Sequence, residues 1–431
     1  YLYLGALYGK QGKLPEAVET LRKLIDLNPN SILGFYYLGR VHMAAKKLDK
    51  AEHFYKQALQ LNPQSELVLL DMALLYELQS KNEKAVETYK QVLSFNPKSA
   101  AGRKRLGGLY INEKKLDSAL EQLRELEKIE NDAQETRVKI GLIYLEKGDF
   151  ERAATEFNLV LAAEPQNDRV RYYLAAVYAQ NNEGAKAAAE FLRVPGTSEY
   201  FVEARLQAAF LKQRDEQIDE AIRISEEALS IKPDAAEMTA FLASLYREKK
   251  EFPRAISLLE KAVETEATND KLWFTLGAVY DEAKRKEECI RAMEKAIDLN
   301  PENAAALNYL GYTWAEMGAR LDEAEKLIRR AIDLEPNDGF YVDSLAWVYY
   351  QRGDFIEAAE KLERAMELAG EDPTVAEHLG DAYRRLDRRS DALRVYREAL
   401  AKTKEAEQQG RLKRKIGGLE YEALGAAIET P

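Results

Sequence analysis

Cysteine is all but missing from this chain. Cys289 stands alone, so no internal disulfide can form, and a single thiol leaves reducing cytosol and periplasm both open. Histidine is nearly as scarce. His42, His53 and His378 are the full set, and none has a second histidine or a cysteine at metal-ligand spacing. No run of about 18 apolar residues occurs, so no segment is expected to span a membrane. Basic charge is not in excess either: 63 Lys and Arg stand against 74 Asp and Glu, for a net charge of −11. That balance argues against nucleic acid as the main partner, which needs a basic face, and favours solubility. Glycine-rich phosphate loops and Gly-x-Ser-x-Gly elbows are lacking. Acid pairs such as Glu287-Glu288 fall on solvated helix faces. With no catalytic constellation, the expectation is no catalytic, cofactor or metal residue, and no enzyme.

What the chain does have is a period. Pro29, Pro63 and Pro97 are 34 residues apart, and Pro97, Pro165, Pro233 and Pro301 continue at 68. A 34-residue period marks one helix–turn–helix unit stacked many times. The hydrophobic fraction of 46% and charged fraction of 32% suit many short amphipathic helices with solvated outer faces. Such an array buries each unit only against its neighbours and works through an extended surface.

The repeat can be read residue by residue. From Phe35 follow Leu38-Gly39, His42, Ala51, Tyr55, Ala58 and Pro63; from Trp273 the same offsets give Leu276-Gly277, Tyr280, Cys289, Met293, Ala296 and Pro301. This resembles the tetratricopeptide repeat, W-x2-L-G-x2-Y, then A-x3-F, then P, over almost the whole chain. Small residues at Gly39, Gly107, Gly141, Gly277, Gly311 and Gly380 are expected to admit the second helix closely. Ala51, Ala85, Ala119, Ala153, Ala255 and Ala358 answer them from the second helix. Asn-Pro at 28–29, 62–63, 96–97 and 300–301 ends the second helix, since proline disfavours helix in the residue before it. Cys289 takes a repeat alanine position and reads as a buried small residue. His42 takes the tyrosine position and reads as packing.

The resemblance implies an all-α fold, a right-handed α-solenoid of about twelve units. The sequence divides into an N-terminal array over 1–199, a C-terminal array over 200–406 and a capping helix over 407–431. Tyr1 occupies the fourth position of its repeat, so the first unit is truncated and the true N-terminus is expected upstream. Two places break the pattern. The second helix is expected to stop early at Val194-Pro195-Gly196, followed by a lengthened turn around Lys212 to Gln217. One extra residue near Ala319-Arg320 reads as a bulged turn.

In the family, the second, fifth, ninth and twelfth positions of each first helix line the concave face. Carried onto the C-terminal repeats, this implies a partner-binding set of Phe274, Asn308, Tyr312, Phe340, Asp343, Trp347 and Tyr350. Aromatic anchors with polar orienters are what a peptide hot spot requires. The competing reading is that Trp347 and Tyr350 pack between adjacent first helices. A more aliphatic patch at Tyr36, Arg40, Met43, Leu67, Leu70 and Leu74 suits a partner helix or a second copy of the chain, a homo-oligomer. The family's carboxylate-gripping groove is excluded, because Lys104 is followed by Gly108 where that groove needs asparagine. A basic end, from Arg384 through Lys415, reads as a solvated face or as a site for an acidic partner or anionic lipid.

Asn308-Tyr-Leu-Gly-Tyr-Thr-Trp-Ala, Leu321-Asp-Glu-Ala, Tyr341-Val-Asp-Ser-Leu-Ala-Trp-Val-Tyr-Tyr and Val375-Ala-Glu-His-Leu-Gly-Asp-Ala-Tyr look like the C-terminal half of bacterial cell-envelope tetratricopeptide proteins. Some of these are outer-membrane lipoproteins that act as adaptors for carboxyl-terminal processing proteases. The resemblance implies a non-enzymatic scaffold binding a protein or peptide in its groove, periplasmic, with a lipid anchor upstream of Tyr1. The alternative is a regulatory superhelix of a larger enzyme, such as a glycosyltransferase, with a cytoplasmic location left open. The break between Val194 and Gln217 carries a test: limited proteolysis should nick this region first, and cleavage spread evenly over all turns would count against a special joint.

Overall fold

The computed structural model describes residues 1–370 and 372–428, with side chains described to Tyr421. Among the described residues all regular structure is α-helical. The chain divides into two compact units, Tyr1–Leu211 and Lys212–Pro431.

The first unit contains α1 (Leu2–Lys10), α2 (Leu14–Leu27), α3 (Ile32–Ala44), α4 (Leu48–Leu61), α5 (Glu66–Leu78), α6 (Asn82–Phe95), α7 (Ala100–Asn112), α8 (Leu116–Glu127), α9 (Gln134–Glu146), α10 (Phe150–Ala163), α11 (Asp168–Gln180), α12 (Gly184–Leu192) and most of α13 (Phe201–Arg214). The second contains α14 (Ile218–Ile231), α15 (Ala236–Glu248), α16 (Phe252–Thr265), α17 (Asp270–Glu282), α18 (Lys286–Leu299), α19 (Ala304–Glu316), α20 (Leu321–Leu334), α21 (Gly339–Arg352), α22 (Phe355–Ala369), α23 (Pro373–Arg385), α24 (Arg389–Lys402) and α25 (Ala406–Ile428). Odd-numbered helices are the first helices of each repeat and even-numbered ones the second, with α25 unpaired. Helix α25 occupies the segment read as a cap; the part of that segment from residue 429 lies outside the described residues.

Local chemistry sets the ends of these helices. Several first helices open on a side-chain cap: Ser31 Oγ accepts from the Gly34 N–H at 3.1 Å, and Asn167, Asn269, Asn303, Asp338 and Asp372 do the same for their helices. Each such cap is worth about 1 kcal/mol. Second helices close at Asn28, Asn62, Asn96 and Asn300, which leave the helical region ahead of a proline. The turn inside each pair reverses through one left-handed residue. Gly12, Lys46, Ser80, Lys114, Gly148, Asn182, Glu216, Lys250, Lys284 and Gly318 all have positive φ, in strict 34-residue register.

That register corrects the sequence reading of the break near residue 200. Helix α12 is short, at nine residues, and stops at Leu192. The expected lengthened turn is not formed. Helix α13 instead runs through Arg214, and Glu216 takes φ 61°, matching φ 58° at Asn182 one period before. What the second helix loses, the connection and the longer α13 restore. The extra residue near Ala319 does bulge its turn, with Gly318 and Arg320 both left-handed, and the next left-handed residue shifts to Gly353.

Packing within many of the pairs rests on a glycine facing a large side chain from the second helix; the other pairs carry alanine there, as at Ala73 and Ala346. A methyl group on Gly141 would lie 2.6 Å from the Phe157 ring, and one on Gly277 2.8 Å from the Met293 methyl. Gly39 faces Tyr55 and Gly380 faces Tyr396 in the same way. Tyr55, Tyr89, Phe157 and Tyr396 are fully buried, as are the second-helix alanines Ala51, Ala85, Ala119, Ala153, Ala255 and Ala358. Cys289 is buried among them, and burial pushes its thiol up to about 12. Full burial of a side chain of phenylalanine size contributes about 1.5–3 kcal/mol.

Two glycines of similar sequence context should therefore respond with opposite sign. Gly141→Ala forces a methyl into the Phe157 ring and should destabilise by about 1–3 kcal/mol. Gly108 has nothing among the described residues within 4 Å of where a Cβ would sit, so Gly108→Ala should gain about 0.5–1 kcal/mol of helix propensity. Thermal melts followed by circular dichroism check both; a lower melting temperature for Gly108→Ala would contradict the packing assigned here.

Candidate functional site

The implied partner-binding residues all lie in the second unit, on α17, α19 and α21. The structure joins four of them around α21 and leaves three outside. At the centre is a stack of rings. Trp347 lies flat against Tyr350, with centroids 4.6 Å apart and planes 4° apart. Its other face meets the His378 imidazole from α23, at 4.4 Å and 26°. Tyr350 then meets Phe355 edge-on at 5.3 Å, and the Arg385 guanidinium lies 4.1 Å from the Phe355 ring centroid. Trp347 and Tyr350 thus do pack between adjacent first helices, and both faces of the indole are covered.

Asp343 holds the far end of the stack. Its Oδ1 lies 2.8 Å from His378 Nδ1, and its side chain is buried. Burial opposes charge on His378, but the Asp343 carboxylate, helped by Asp381 and Glu377, outweighs it and holds the imidazole above its usual range. Tyr312 on α19 senses the same carboxylate. Burial first, then the charges of Asp343, Glu316 and Asp281, push its phenol well above the ordinary tyrosine range, against a small opposing effect of Arg411.

Two polar atoms of the set are buried and have no hydrogen-bond partner among the described residues: Asn308 Oδ1 and Trp347 Nε1. A buried donor or acceptor left unpaired costs about 1–3 kcal/mol. Phe274 stands apart, edge-on to Tyr309 at 6.0 Å. The Tyr309 hydroxyl in turn donates to Asp281 Oδ2 at 2.8 Å. Phe340 opens α21, is 51% exposed, and has no ring against it among the described residues.

Sequence reasoning passed over His378 and Tyr309. Both occupy the sixth position of a first helix, beside the fifth-position residues that were counted. The signal lay in a 35-residue offset. His378 follows Asp343 by 35, and in the first unit the Tyr36 hydroxyl donates to Asp71 Oδ2 at 2.9 Å across the same offset. A polar residue 35 after a groove residue is placed to bond back to it. Asp71 also draws Arg40 and Arg105, at 3.6 and 3.4 Å. Tyr36 and Leu70 are buried there, which removes them from the aliphatic surface patch expected of that region.

The basic end is largely neutralised within the chain. Arg388 pairs with Asp391, Arg389 with Asp387, Arg394 with Glu398 and Arg397 with Glu420. From α25, Lys415 reaches Asp381 at 2.7 Å and Glu377 at 2.9 Å, and Arg411 reaches Glu377 at 3.4 Å. Burial raises the Glu377 carboxyl, but Lys415, Arg411 and Gln408 together hold it below its usual range. His42, by contrast, is a packing residue, buried and stacked on Phe54 at 5.2 Å, its imidazole pushed down by burial.

The His378–Asp343 pair makes stability depend on pH. A histidine whose folded pKa is raised stabilises below its unfolded value, about 6.5, and loses that contribution as pH rises through the folded value. Urea midpoints of the wild type should therefore fall more between pH 6 and pH 9 than those of His378→Gln. Equal falls would show that the imidazole is not held charged.

Family models described as tetratricopeptide repeat match residues 1–31, 32–65, 67–99, 138–199, 213–278, 270–303 and 344–425. Among curated proteins none matches the chain significantly. Among solved structures, yeast Tom70 is similar at 16% identity over 99% of this chain and 98% of that one, with a TM-score of 0.45. The C-terminal part of a TPR repeat-containing protein from Cytophaga hutchinsonii is similar at 15% identity over 55% of this chain and 98% of that one, with a TM-score of 0.48. A tetratricopeptide repeat protein from Parabacteroides merdae is similar at 20% identity over 56% of this chain and 95% of that one, with a TM-score of 0.38. The repeat register, the close small-residue contacts within the pairs and the family matches along both units agree: the chain belongs to the tetratricopeptide repeat proteins.

Proposed function

We propose that the chain is a non-enzymatic adaptor that binds a partner protein, through an extended segment, on the first-helix face of its second unit. Repeats of this family generally serve as protein interaction modules. The observation that carries the choice of face is the pair of buried, unpartnered atoms, Asn308 Oδ1 and Trp347 Nε1, beside the half-buried Tyr312. A bound main chain supplies both an N–H and a C=O, the two partners these atoms lack, once a small side-chain adjustment on binding uncovers them. The stacked Trp347 is a rigid wall in this reading, because both its faces are engaged; Tyr312 is the anchor.

The resemblance of 308–350 and 375–383 to bacterial envelope proteins supports a finer reading. The adaptor would serve an envelope assembly or proteolysis complex, beside a carboxyl-terminal processing protease, on the periplasmic side and tethered to the outer membrane. No described helix is long and apolar enough to cross a membrane.

Capture of partners from the source organism, read by mass spectrometry, supplies the probe. Tyr312→Ala should weaken that partner by about 2 kcal/mol or more, as truncation at a hot spot does. Trp347→Phe keeps a six-membered ring in the stack and removes the indole N–H together with its five-membered ring, so it should weaken binding by about 1 kcal/mol or more, the worth of at least one hydrogen bond. Wild-type affinity in both variants, with helicity intact, would rule out this face.

A further inference from the structure

The face just described has a charge, and that charge narrows the partner. Helices α17, α19 and α21 carry five carboxylates and two cations. One of the cations, Arg352, turns away to Asp322 and Glu325 on α20, at 2.7 and 2.5 Å. The corresponding helices of the first unit, α3, α5 and α7, carry three carboxylates and four Lys or Arg. The acidic character therefore belongs to this stretch and not to first helices in general.

Its focus lies beside Tyr312. Asp281 Oδ1 and Glu316 Oε2 share one ammonium, Lys286 Nζ, at 2.8 and 2.6 Å. Two carboxylates on one ammonium leave one negative charge uncompensated. Asp343 adds a third carboxylate, whose own partner is His378. Glu316 stands one turn after Tyr312 on α19, and Asp281 accepts from the hydroxyl of Tyr309, three residues before Tyr312; after burial, these two charges and that of Asp343 raise the Tyr312 phenol, against Arg411. The ring thus offers an aromatic surface within a negative field, the arrangement that attracts an alkylammonium or guanidinium. Asn308 adds the unpaired acceptor; its side chain is half-buried, so rotation about the last torsion turns the oxygen outward to a donor.

Resting on the groove reading above, we propose that this face takes an extended segment carrying a lysine or arginine side chain. The cation lies against Tyr312 and turns toward the Asp281–Glu316–Lys286 triad. The segment's main chain meets Asn308, and the Trp347 N–H once that atom is uncovered on docking.

The test uses two fluorescein-labelled decapeptides, alternating Lys-Ala and alternating Glu-Ala, titrated against the whole chain by fluorescence anisotropy at low salt. The Lys-Ala peptide should bind at least about tenfold tighter, as charge complementarity requires. Asp281→Asn with Glu316→Gln should weaken it about fivefold or more, and Glu316→Gln alone, at a half-exposed site, about threefold. The control is Glu264→Gln with Asp298→Asn, two exposed acids on the second helices α16 and α18, which alters net charge equally. It should change affinity less than about twofold. Equal loss in control and site variants would mean diffuse attraction to an acidic protein and would overturn the proposal. Loss on Tyr312→Ala with none on the charge variants would leave the groove reading standing and remove the basic partner. No loss in any variant would remove both.

Discussion

Every unit of this array depends on how closely two helices can approach. A small residue in the first helix, glycine or alanine, meets a ring or a long side chain offered sixteen residues later by the second, as Gly39 receives Tyr55 and Gly141 receives Phe157. The contact is steric before it is energetic, because a single methyl at Gly141 already falls inside van der Waals distance. Burial follows from the approach. The aromatic side chains that reach these glycines are among the largest fully buried in the molecule, and interiors this dense tolerate little change in volume. Where the spacing slips to seventeen, between Gly311 and Ile328, the slip is the extra residue at 319–320, absorbed in a turn with two left-handed residues.

The turns hold that approach in register. Most of the left-handed residues are not glycine but Lys, Ser, Asn, Glu and Asp, each in a conformation that costs a side-chain-bearing residue about 1–2 kcal/mol. The cost is tolerated at each repeat because the two flanking helices, packed against each other, leave the connection no other path. At the other end, Asn-Pro and the Ser, Asn or Asp caps satisfy or terminate backbone groups locally. The short α12 and long α13 illustrate the hierarchy: helix lengths changed, while the left-handed register did not.

Between repeats the contacts turn polar. A sixth-position group bonds back to the preceding first helix, as in Asp71 to Tyr36, Tyr309 to Asp281 and His378 to Asp343. These pairs lie on the first helices and join each repeat to the one before it. In the second unit the join is a ring stack that immobilises Trp347. Immobilised aromatics are good docking walls, since little rotamer entropy remains to be lost on binding.

Much of this was legible in the residues themselves. The 34-residue period, the glycines and alanines of each pair and the Asn-Pro stops are local and repetitive, and local chemistry acts the same way at every recurrence. So the sequence by itself determined the helix pairs, their order and the buried standing of Cys289 and His42. It also placed the partner set on the first helices. It did not determine which of those side chains would be free. Phe340 and Trp347 share one helix and similar chemistry, yet one is left exposed and the other is covered on both faces. Tyr350 of the same helix covers one face of the indole, and the other is covered by His378 of α23, 31 residues further along the chain than Trp347. The turn at Glu216 likewise kept its place although the residues around it suggest lengthening, because packed helices on either side set its geometry. Contacts between neighbouring repeats are long-range in sequence, and only the tertiary structure decides them.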